Sequence, residues 1–71
     1  MRTAHVQITE NDVVALKRSI GMWAAGTRGA VVGDHGDWKL VEVSDEQGQM
    51  LDLLEVDDRD LRLINRYPCT L

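Results

Sequence analysis

Phenylalanine is absent from this 71-residue chain, and the aromatic residues are Trp23, Trp38 and Tyr67 alone. A core must therefore be built from aliphatic side chains, of which there are eight valines, eight leucines and three isoleucines. The single cysteine, Cys69, cannot close an internal disulfide, and neither a CxxC pair nor a Cys/His metal spacing accompanies it. A reducing cytoplasm is the compartment that fits. No apolar run approaches the roughly 18 residues needed to cross a bilayer. The opening Met1-Arg2-Thr3-Ala4-His5-Val6-Gln7-Ile8 also lacks the apolar stretch of a secretory signal. Neither membrane insertion nor secretion is expected.

A run of basic residues is missing too. The formal net charge is −4, and its sign is unevenly placed. Residues 1–33 carry four basic and two acidic groups, whereas residues 34–71 carry four basic and ten acidic. Phosphate backbones are bound mainly through neutralising Lys and Arg, so an acidic chain of this kind disfavours nucleic acid. The acidic second half suits a basic protein partner, or it serves simply to keep a small domain soluble.

What is present is a chain of one-domain size, residues 1–71, with 44% apolar and 28% charged residues and a core expected over about 11–64. Six glycines punctuate short β-rich runs, the pattern of a small all-β meander. Arg28-Gly29-Ala30-Val31-Val32 runs into Gly33-Asp34-His35-Gly36-Asp37. Trp38-Lys39-Leu40-Val41-Glu42-Val43-Ser44 then alternates, and Asp45-Glu46-Gln47-Gly48 turns into the 50–56 strand. Both hairpins end a polar cluster on Gly, as a type I turn does when it hands over to a residue at positive φ. Asp57-Asp58-Arg59-Asp60 can form one carboxylate-capped helical turn before Leu61-Arg62-Leu63-Ile64 returns as the last strand.

Residues 10–21 are the ambiguous segment. Thr9-Glu10-Asn11-Asp12 resembles a capping box, and Val13, Leu16, Lys17 and Ile20 share a helical face ending at Gly21. Against this, Val13-Val14 is β-branched, and a strand here gives the later hairpins a partner to close against. Strand is the reading adopted, and helix the alternative.

In order and spacing, these elements resemble an uncharacterised family of short bacterial proteins with a Src-homology-3-like barrel, over about residues 11–64. Asp12-Val13-Val14-Ala15-Leu16 matches its opening strand, Gly26-Thr27-Arg28-Gly29-Ala30-Val31-Val32 its second, Val41-Glu42-Val43 its third and Leu61-Arg62-Leu63-Ile64 its last. The resemblance implies a partly open all-β barrel of about five strands with one short 3-10 turn before the last strand, and no known activity. The Gly-x-x-Gly-x-Val strand entry is also similar to the KOW motif of ribosome- and transcription-associated barrels. That likeness implies a nucleic-acid surface, for which Lys17, Arg18 and Arg28 are the candidate basic patch.

Catalytic constellations are weak. His35 sits in a turn between Asp34 and Asp37 with no Ser or Cys nearby to act as nucleophile. His5, His35 and Cys69 could share a zinc ion only if the termini converged on that turn. Val6-Gln7-Ile8 echoes a motif of the plasmid-borne dihydrofolate reductase, but Thr9 follows it where that motif has Tyr. No catalytic residue, cofactor or metal site is assigned, and an enzyme with its site at a subunit interface is a third alternative. Apolar residues on both faces of the 38–44 and 50–56 strands instead suggest contact with another subunit, hence a homo-oligomer. Met22, Trp23, Trp38, Leu40 and Leu53 are the candidate interface residues, with a Trp folded back over the core as the bland alternative.

Overall fold

Local signals compete between helix and strand at Val13-Val14-Ala15-Leu16, and strand wins. In the computed structural model, which describes residues 7–65, this segment is β1 (Val13–Leu16). The capping-box residues are used, but they close a turn. The Asp12 carboxylate accepts the Thr9 N–H at 2.9 Å, the same reach-back that the third residue of a capping box makes. Asn11 then takes a left-handed φ of 75°, which asparagine tolerates and a helix does not. The Asn11 N–H donates to the Val31 carbonyl and the Val31 N–H to the Asp12 carbonyl, so the chain enters the sheet at once.

The remaining elements are β2 (Arg28–Asp34), β3 (Trp38–Ser44), β4 (Met50–Asp57), a 3-10 turn η1 (Asp58–Asp60) and β5 (Leu61–Asn65). Among the described residues all strand pairings are antiparallel, in one sheet of order β4-β3-β2-β1-β5 that does not close into a barrel. Both hairpin glycines have the positive φ their position requires, 83° at Gly36 and 82° at Gly48. Gly29 is needed for a different reason: a Cβ there would lie 2.6 Å from Val41 Cγ1 and 2.7 Å from the Glu42 carbonyl oxygen.

Register fixes two faces. Val14 and Leu16, Val31, Val41, Val56 and Leu61 are buried and form the core with Ile8, and Ile20, Trp23, Leu54 and Leu63 pack against it. Alternation along β3 and β4 puts Trp38, Leu40, Glu42, Leu53 and Glu55 on the other, outer face, where Leu40 pairs with Glu55 and Glu42 with Leu53. A register shift between Val31 and Gly33 leaves Val32 exposed as the extra residue of a bulge.

One expectation is corrected. The η1 turn has no side-chain cap: Asp57 at its start makes no capping hydrogen bond. Its acids bind cations instead, Asp58 to Lys39 and Asp60 to Arg18, because an ammonium or guanidinium is the stronger partner for a carboxylate than one exposed amide.

Candidate functional site

Two regions of the sheet carry side chains beyond what packing alone requires. The first is built around Lys39. Alternation places Lys39 on the face of Val41 and Val43, so its stem enters the core and only 2% of the side chain is exposed. Its ammonium donates to the Gly36 carbonyl at 2.7 Å and to both Asp58 carboxylate oxygens at 2.8 and 3.0 Å, and lies 3.2 Å from Asp34 Oδ1. Asp34 is Lys39's cross-strand partner in the β2–β3 ladder, and the Asp58 N–H donates to the Asp37 carbonyl, which ties η1 to the same hairpin. Burial alone pushes the ammonium towards the neutral form. The hydrogen bonds and charges of Asp58 and Asp34 outweigh that and leave its pKa above the usual 10.5. Asp34 is held below its usual 3.8, first by the Gly36 N–H and then by Lys39. Beside this cluster lies an open groove of about 390 Å³ lined by Asp37, Asp57, Asp58 and Arg59. Among the described residues no group of three or more His, Cys, Asp or Glu is placed to hold a metal ion.

The second region is β4 and its neighbour β3. No described strand pairs with β4 on its far side. Met50, Leu51 and Leu53 are 54%, 53% and 46% exposed, three large apolar residues close together on a sheet edge, with Leu51 the extra residue at a register shift in the β3–β4 ladder. Between them Asp52 turns to the core side, the parity of Leu54 and Val56. It accepts the Trp23 indole N–H at 2.8 Å through one oxygen and the Leu53 main-chain N–H at 2.8 Å through the other. Those two bonds, the indole first, hold its carboxyl below the ordinary 3.8.

The nominated interface residues do not form one surface. Trp38, Leu40 and Leu53 share the outer face of β3 and β4, with Trp38 and Leu40 half-buried, and Trp38 stacks on His35 at a 4.2 Å centroid separation. Met22 is 83% exposed at the tip of a tight turn closed by reciprocal hydrogen bonds between Ile20 and Trp23. Trp23 is half-buried, packs against the core and is tethered to Asp52, which is the folded-back alternative. Of the basic residues, Lys17, Arg18 and Arg28 are all exposed, but Arg18 is taken by Asp60 at 3.1 Å. Arg28 faces Ala15 across the ladder, with Arg62 on Ala15's other side. His5 and Cys69 of the zinc reading lie outside the described residues.

Lys39 and Asp52 were the residues sequence reasoning passed over, and both left a signal. Each falls at the parity of buried valines or leucines in its own strand, where a charged group must find a partner.

No family model matches the chain, and no curated protein or solved structure matches it.

Proposed function

We propose that this domain is a non-catalytic contact module that works by binding protein, a second copy of itself included, through β4 and the outer face of β3. The observation that carries the reading is the exposed run Met50, Leu51 and Leu53 on an edge strand whose far side no described strand covers. Monomeric proteins rarely leave large apolar side chains side by side on an open edge, since that is where sheets extend by aggregation. The other concentration of polar chemistry supports the same reading by contrast. Lys39, Asp34 and Asp58 are already engaged with one another, and among the described residues no buried polar side-chain atom lacks a partner. The Src-homology-3-like resemblance belongs to this proposal as well, supported by the five-stranded all-β architecture with its 3-10 turn, as does a cytoplasmic location.

Sedimentation velocity over a range of protein concentrations tests it. Concentration-dependent association that Leu51→Lys weakens is the expected result. Association that Leu51→Lys leaves unchanged would move the contact elsewhere, and a monomer at every concentration would remove self-association from the reading.

A further inference from the structure

Main-chain geometry along β4 says more than its exposed leucines. In an antiparallel ladder the N–H and C=O of one residue point the same way, alternately towards the partner strand and away from it. The Leu53 N–H is bonded to the Asp52 carboxylate, so Leu53 is one of the residues whose polar main chain turns to the open edge. Glu55 follows by alternation. Asp52 thus fills, with a side chain, the place a neighbouring strand would fill with a carbonyl.

The chemistry of that edge is one-sided. Met50–Asp57 contains Asp52, Glu55 and Asp57 and no basic residue. Among the described residues, Asp57 meets only the exposed Arg59 at 3.7 Å, and Asp52 and Glu55 are in no ion pair. Leu53 lies on the outer face with Glu55 and Asp52 on the other, while Leu51 is the extra residue at the register shift between the Val43–Asp52 and Ser44–Met50 pairs. An exposed leucine and an acid on the opposite face thus stand side by side at positions 52 and 53. A second β4 paired edge to edge would add three more acids, so a second copy is met through the exposed side chains of the outer face, and the main-chain edge itself suits a basic segment.

Resting on the contact-module reading, we propose that the open edge of β4 binds an extended peptide segment alternating apolar and basic side chains, by strand addition. Its apolar residues lie beside Leu53 on the outer face, and its lysines or arginines lie on the Asp52 side. Asp52 gives up the Leu53 N–H to an incoming carbonyl and keeps its second oxygen on the Trp23 indole. The released oxygen becomes the counter-charge for the arriving cation.

The probe is a synthetic nonapeptide of alternating valine and lysine, titrated into the isotope-labelled 71-residue protein and followed by amide NMR. The expected result is saturable binding with shifts concentrated on Leu51 to Glu55 and slowed hydrogen exchange at Leu53. N-methylation of the peptide along one edge, which removes its pairing groups and keeps its charge, is expected to weaken binding by at least about tenfold. Asp52→Asn, which retains an acceptor for Trp23 and loses the charge, is expected to weaken it by about fivefold. Equal binding of the N-methylated peptide overturns strand addition while leaving a protein-binding surface in place. Shifts confined to other strands, or no binding, overturn the proposal as well. If sedimentation still shows association sensitive to Leu51→Lys, the broader reading survives that failure. If it does not, both fall.

Discussion

The Lys39 end of the sheet and the β4 edge are built from similar letters and solve opposite problems. At the Lys39 end, one buried cation is met by a carbonyl and two carboxylates from two separate segments, the β2–β3 hairpin and η1, and among the described residues no buried polar side-chain atom is left without a partner. At the β4 edge, one carboxylate is spread over two N–H donors while leucines beside it stand in water. The first arrangement costs desolvation and gains conformational uniqueness, because only one hairpin and turn geometry satisfies the ammonium. The second leaves apolar area and main-chain groups uncommitted. A chain of this length buries only about 60% of its unfolded surface, so some area must stay outside. Here it is gathered on one strand.

Breaking the Lys39 end is expected to have the largest effect. Lys39→Ala removes the stem from the core and leaves the Gly36 carbonyl and two clustered carboxylates without their cation. The expected loss is about 3 kcal/mol, at the low end for a buried pair because Asp34 and Asp58 remain partly hydrated. Lys39→Met, which restores the stem, is expected to recover part of it. Urea unfolding of the two variants checks the order. A Lys39→Ala protein as stable as the parent would mean that the ammonium is dispensable.

Trp23→Phe tests the joint between the β1–β2 loop and β4. It keeps most of the half-buried ring and deletes the indole N–H that binds Asp52. The expected loss is about 1 kcal/mol by the same measurement. It should be accompanied by faster exchange in the 20–23 turn.

The regions should also separate on the pH axis. Asp34 and Asp52 ionise more readily in the folded chain than at their ordinary 3.8. The unfolded chain therefore binds more protons as pH falls through that range, and stability present above it is lost on acidification. Lys39 behaves oppositely. Its pKa is raised from 10.5, so its contribution is complete at neutral pH and disappears only as pH climbs past 10.5 through the folded value. Denaturation midpoints measured from pH 2 to 12 are expected to show both limbs. Lys39→Met should flatten the alkaline one, and Asp52→Asn should reduce the acid one and leave the alkaline one intact.

Much of this comparison is written in the chain at the level of period two. The alternation Trp38 to Val43 puts Val41 and Val43 on one face, and the structure buries them there. The same arithmetic places Lys39 beside them. It was missed because lysine in a strand reads as solvated, and its acids come from positions 34 and 58, whose approach depends on how the hairpin and η1 meet. The first strand was ambiguous because Thr9 to Asp12 carries a real capping signal, and one left-handed residue, Asn11, redirects it. Trp23 could not be resolved from sequence because its acceptor is 29 residues away, in a strand defined by pairing. On β4 both faces looked equally apolar, and only the order of strands in the sheet shows which leucines end up on an edge.

The smallest effect on stability is expected where the effect on association is greatest. Leu53 is 46% exposed and its side chain lies on the outer face, opposite Glu42. Leu53→Lys keeps an aliphatic stem over the covered part of the site and opens no cavity, and it places an ammonium opposite a carboxylate, a cross-strand pair worth a few tenths of a kcal/mol. Its unfolding midpoint is expected to match the parent within about 0.5 kcal/mol. The same substitution takes an apolar side chain from the end of the exposed run and adds a positive charge among its acids. Both self-association and binding of the valine–lysine peptide should then weaken severalfold or more. A stable Leu53→Lys protein that associates like the parent would mean that the open edge of β4 is only leftover area. A protein that unfolds on this substitution would mean that Leu53 belongs to the core, and that the contrast between a satisfied end and an uncommitted edge has been drawn in the wrong place.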